Sequence, residues 1–163
     1  MNKADFLRLF RYSDNCWDRL GDLFAATPGM ADAWNTPFDT VSKWNTVRLL
    51  LAHSIGAEQR LVTTRLLNQP RSVPYEDHAA SDWPDLLQDH QTTRADSYDY
   101  LESLTDLELE DDEEVWKLNG ISLTRVDILF QILNHENYHR GQVVMALQRL
   151  GLDPPDFDYV LLR

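Results

Sequence analysis

Hydrophobic positions recurring at three- and four-residue steps divide the chain into four long amphipathic segments. The first covers residues 3–26. Phe6, Leu9, Phe10, Ser13, Trp17, Leu20 and Phe24 share one face, and Arg8, Asp14, Asp18 and Asp22 fall largely elsewhere. Thr27-Pro28-Gly29 ends it. The second covers residues 43–67, with Ser42 as its N-cap and Val47, Leu50, Leu51, Ser54, Ala57, Leu61 and Val62 as its stripe. The third, residues 84–105, is more polar. Leu87, His90, Tyr98, Leu101 and Leu104 form its apolar side, Asp82 or Ser81 caps it, and Pro84 suits a first turn. The fourth covers residues 125–150. Ile128, Ile132, His135, His139, Gln142, Ala146 and Leu150 trace one face, and Thr124 with Asp127 makes a capping box. Gly151 and Pro154-Pro155 stop it.

No central strands interrupt this pattern, so the fold class is all-α, a four-helix bundle forming one domain over residues 1–163. The connections are long for a bundle, and simple up-down-up-down order does not follow from them. The linker at 28–41 carries Trp34 and Phe38, which are expected over one end of the core. Pro70 and Pro74 mark another loop, in which His78 sits beside Asp77 as a solvated residue. Asn119-Gly120, flanked by Trp116, Leu118 and Ile121, predicts a small extended hairpin before the last helix. Residues 106–114 hold seven acids in nine positions. This run reads as a solvated loop, because a calcium loop needs a glycine turn that it lacks. The apolar tail from Phe157 to Leu162 is expected to pack back on the bundle.

The net charge of −12 disfavours nucleic acid and anionic lipid as partners. No apolar run approaches the roughly 20 residues of a membrane span. The start, Met-Asn-Lys-Ala-Asp-Phe, lacks the apolar stretch of a signal peptide. One cysteine, Cys16, permits no internal disulfide and reads as a core residue. Together these features predict a cytoplasmic protein with no membrane association.

The candidate chemistry lies in Asn134-His135-Glu136-Asn137-Tyr138-His139-Arg140-Gly141-Gln142. His135 and His139, four residues apart, stack on one helical face. They continue the apolar stripe and therefore point inward, where imidazoles must be hydrogen-bonded or ligated. Close histidines also suppress each other's protonation, which leaves neutral rings suited to metal binding. His53, on the core side of the second helix, is the third contributor. Three imidazoles with an open position are the pattern of a catalytic metal site. Zinc, nickel, iron and manganese all fit such ligands. The alternative for His135 and His139 is two unrelated histidines on an amphipathic helix. His90 has no histidine partner at helical spacing and reads as a boundary residue. His135-Glu136-x-x-His139 also satisfies the zinc metalloprotease signature, in which Glu136 would be the general base. Against a protease, no histidine follows His139 at six residues and no Glu follows Glu136.

Asn134-His135-x-x-x-His139-Arg140-Gly141-Gln142, with Gly151-x-x-Pro-Pro after the helix end, resembles the DinB/YfiT-like metal-dependent family. Leu51-Ala52-His53-x-x-x-Ala57-Glu58 resembles its second-helix segment, and the stretch around Asn119-Gly120 also fits. The resemblance spans almost the whole chain and is to the metal-dependent family, not to the DNA polymerase sharing the DinB name. It implies a four-helix bundle, a divalent metal (zinc or nickel first, then iron or manganese) on His53, His135 and His139, and a homodimer. It further implies thiol-dependent S-transferases, related hydrolases or isomerases that join a low-molecular-weight thiol to a small-molecule substrate. A non-catalytic metal-binding or interaction protein of the stress response is the alternative. The metal would lower the pKa of a thiol or water. Glu58 and Glu136 then read either as bases or, more simply, as surface carboxylates. Arg140 suits a bidentate contact with an acidic neighbour. Tyr12 and Trp17 read as pocket lining or plain core.

Overall fold

A computed structural model describes residues 1–70 and 82–162, so His78 and Ser81 lie outside the described residues. Four long helical segments build the bundle: α1 (Lys3–Ala26), α3 (Val47–Gln59), α4 (Trp83–Ser103) and α6 (Arg125–Arg149). Short helices α2 (Met30–Trp34), α5 (Asp106–Glu110) and α7 (Tyr159–Leu162) lie in the connections and tail. The expected hairpin is present. Strands β1 (Trp116–Leu118) and β2 (Ile121–Leu123) pair antiparallel, with Trp116 opposite Leu123. Asn119 and Gly120 both take positive φ, at 50° and 84°, as the tight turn requires.

The caps explain where the helices start. Thr124 Oγ1 accepts from Asp127 N, and Asp127 reaches back to the Thr124 amide, which completes the expected box. Asp82 caps α4 through Asp85 N. The second helix begins later than expected. Thr46, not Ser42, is its N-cap, accepting from Leu49 N. Ser42 instead accepts from Trp44 N in the preceding turn. Beyond Gln59 the helix widens into a π-helical stretch, Arg60–Leu66. Two consecutive threonines favour this, and Thr63 Oγ1 donates to Gln59 O, competing with the regular ladder.

Helix directions follow from two apolar clusters. Phe6 and Phe10 near the start of α1 pack with Leu61 and Val62, with Leu101 near the end of α4, and with Ile128 and Leu129 near the start of α6. Trp17 and Leu20 pack with Leu50 of α3, Leu86 at the start of α4, and Val143 and Leu147 late in α6. The order is therefore up-down-down-up, with α3 and α4 parallel. Both α1 and α3 pack on α4 and α6, so α1 lies diagonally across the core from α3. Each fully buried Leu or Phe in these clusters contributes about 1.5–3 kcal/mol.

The linker at 27–46 crosses one bundle end, where Trp34 is buried against Phe24 and Trp83. The acidic run is not wholly a loop. Thr105 and Glu108 form a capping box that nucleates α5, and Leu109 is fully buried beneath it. The tail packs back as expected: Tyr12 donates to Phe157 O, and Asn15 Nδ2 donates to Leu162 O. Cys16 is a buried free thiol in the core. Among the described residues no helix is long and apolar enough to cross a membrane.

Candidate metal centre

The packed pair α3 and α6 sets the site. His53 lies midway along α3, and His135 and His139 lie on the facing side of α6. One donor nitrogen from each ring falls within 4.8 Å of the others. His135 Nε2 and His139 Nε2 are 3.2 Å apart. Bonds of about 2.0–2.1 Å to a tetrahedral ion place such nitrogens about 3.4 Å apart. The histidine pair on α6 already has that spacing.

Neighbouring groups fix the rings. His139 Nδ1 donates to Gln142 Oε1 at 2.7 Å, and Gln142 Nε2 donates to the Tyr138 hydroxyl at 3.1 Å. This chain sets the tautomer in which Nε2 of His139 carries the lone pair. The Trp44 ring stacks on His53, with centroids 4.1 Å apart and planes 17° apart, and Lys43 Nζ sits 4.1 Å over the same indole. Burial, together with His139, His53 and Arg60, pushes the His135 pKa down to about 4. Burial also lowers that of His139, against the hydrogen bond it donates to Gln142. Both rings are neutral at pH 7, the state that ligates metal.

One step of 100° around α6 from His135 and His139 brings Glu136 and Arg140 to the opposite, inward side. Here the bundle centre holds a charged layer between the two apolar clusters. Arg94 of α4 is 97% buried and contacts three carboxylates: Glu136 at 2.8 Å, Glu58 at 2.9 Å and Asp14 at 3.2 Å. Ser97 Oγ donates to Glu58. Ser13 Oγ and Trp17 Nε1 both donate to Glu136 Oε1, as does Arg140 Nη2. Burial opposes ionisation of Glu136, but Arg94 and Arg140 outweigh it and hold this carboxyl well below the usual range. Burial raises Glu58, against the pull of Arg94, and Glu136 adds to the rise. Two carboxylates sharing one guanidinium are thus driven apart, and Glu58 is the one more easily protonated.

Several expectations change accordingly. Glu58 and Glu136 are not surface carboxylates, because Arg94 and Arg140 compensate their burial. Glu136 is not placed as a protease base: its oxygens are engaged by Ser13, Trp17, Arg94 and Arg140 in the core. Arg140 does hold an acidic neighbour, but through Nη2 alone, since that nitrogen is shared with Ser13. His90 is buried rather than at the boundary. It stacks on Trp17 with centroids 4.0 Å apart. Trp17 is core, and Tyr12 lines a separate cavity beside Arg140 and Tyr159. Arg94, Gln142 and Trp44 were missed as site-forming residues. Arg94 lies four residues after His90 and three before Ser97, a polar stripe at helical spacing that signals a buried network.

The architecture and this cluster define a helical-bundle protein with a three-histidine candidate metal site. The sequence model of the DinB family matches residues 8–163, and the chain belongs to that family. No curated protein matches it.

Proposed function

We propose that His53, His135 and His139 bind a divalent metal, zinc or nickel first, and that the protein is a thiol-dependent transferase or isomerase acting on small molecules. The observation carrying this reading is the convergence of three imidazoles beside a cavity that reaches His135. Held by these three imidazoles, such a metal would lower the pKa of a thiol and so supply a thiolate at neutral pH. The chain's own residues supply the rest. Gln142 and Trp44 orient the rings, and the neighbouring cavity holds the second reactant. In transfer, the thiol proton passes to solvent and a C–S bond forms. The leaving group departs with the electrons of its own bond. In isomerisation, the thiol adds to a double bond and is expelled after rotation.

The test is a screen of zinc- and nickel-loaded protein with bacillithiol, mycothiol and glutathione against a panel of alkylating and unsaturated electrophiles, following loss of free thiol for transfer and conversion of the double-bond isomer by chromatography for isomerisation. Metal-dependent consumption with one thiol, abolished in His135→Ala, is expected. Loaded protein that neither consumes any of the three thiols nor isomerises an unsaturated substrate in their presence would favour a non-catalytic metal-binding protein.

A further inference from the structure

A cavity of about 460 Å³ lies between the π-helical stretch, the hairpin and α6, and His135 forms part of its wall. That volume is within the range of small-molecule sites. Leu61, Trp116, Leu118 and Leu123 give it apolar walls. Leu118 is 43% exposed, a large hydrophobic side chain that an occupant would cover. The Trp116 ring packs against Arg65, whose guanidinium carbon is 4.3 Å from the ring centre.

Charge in the cavity is uneven. Arg60 lines it together with His135. Among the described residues no carboxylate is within ion-pair distance of Arg60, whereas Arg125, by the same hairpin, is paired with Glu113 at 2.8 Å. One carboxylate, Asp127, also lines the cavity, but its Oδ2 is engaged by the Thr124 amide and hydroxyl at 2.9 Å each. The half-buried Arg60 is therefore a cationic residue in the wall of a largely apolar chamber that also reaches His135.

We infer that this cavity binds the electrophilic substrate, and that Arg60 selects one whose apolar, planar body carries a carboxylate. The body lies against Trp116 and Leu118, and the carboxylate meets Arg60 close to His135. The inference rests on the metal-dependent reading for the reaction that follows, but binding itself is separable from metal loading. A polar thiol has little to gain from these walls, which is why the cavity is assigned to the electrophile.

Isothermal titration with 3-phenylpropionate and its neutral amide tests this, on zinc-loaded and metal-free protein. Both forms should prefer the acid by about fivefold, the scale of a partly exposed ion pair. Arg60→Gln should lose that preference while keeping its affinity for the amide and its zinc content. Arg60→Lys should keep most of it. Trp116→Ala should weaken both ligands together. Equal affinity for acid and amide in the wild type would overturn the proposal, as would an undiminished preference in Arg60→Gln. A preference confined to zinc-loaded protein would also overturn it, because the carboxylate would then be on the metal. So would reduced glutathione being the ligand whose binding depends on Arg60. Failure of the metal reading is visible separately, as absence of zinc in the loaded sample.

Discussion

Arg94 Nη2 lies 2.8 Å from Glu136 Oε2, with both side chains shut off from water in the middle of the bundle. The same nitrogen is 3.0 Å from Glu58 Oε2, so one guanidinium joins α4 to α3 and α6. Removing it leaves Glu58 with the Ser97 hydroxyl and no guanidinium, and Glu136 with Arg140 alone for its charge. Arg94→Ala should destabilise the fold by roughly 3–5 kcal/mol, the usual loss when one partner of a buried pair is removed. Urea unfolding of the variant against the wild type measures this. A loss below about 1 kcal/mol, the size of a surface pair, would show that the layer is solvated.

Gln142 controls the His139 ring through a 2.7 Å contact to Nδ1. Gln142→Ala should weaken metal binding by about 10- to 100-fold with little change in stability, since partners of ligating histidines set ring orientation and basicity. Competition with a chelator of known affinity reads the change. Unaltered affinity would mean that the ring is held by its packing alone.

The buried His90 gives the protein an acid-sensitive core. Burial and the neighbouring Arg94 push its pKa down to about 3, with Arg140 adding to the drop, Glu136 opposing it and Asp14 Oδ1 at 3.8 Å. The unfolded chain takes up this proton near the ordinary histidine pKa of about 6.5, and the native state takes it up only near 3. Stability is therefore level above about pH 6.5 and falls as pH drops toward 3, by several kcal/mol in all. His135, lowered to about 4, contributes in the same window. His90→Phe preserves the stack on Trp17 and should lose less stability than the wild type between pH 7.5 and 4.5. Identical slopes for the two proteins would remove His90 from the account.

Much of this structure was legible in the sequence, for identifiable reasons. The 3.6-residue period, the Thr124–Asp127 box and the Asn119-Gly120 turn are local signals, and the elements follow them. The grouping of His53, His135 and His139 was legible because imidazoles on an apolar stripe are unusual, and the fold brings one ring nitrogen of each within 4.8 Å of the others. The charged layer was not. Glu58, Glu136 and Arg94 look like solvent-facing residues one at a time, and only the up-down-down-up packing brings them together. The start of α3 was misplaced for a similar reason. Trp44, expected inside the helix, lies before it and covers His53, and Thr46 caps the shorter helix. The π-helical stretch depends on tertiary packing that hydrophobic periodicity does not encode.

Metal content tests the central claim most directly. Protein purified without a polyhistidine tag, reconstituted with zinc or nickel and freed of excess ion, should carry close to one metal per chain by elemental analysis. His53→Ala, His135→Ala and His139→Ala should each lose most of it while remaining helical by circular dichroism. Wild-type protein that retains less than about 0.1 metal per chain, or three variants that load normally, would contradict a metal site built from these histidines.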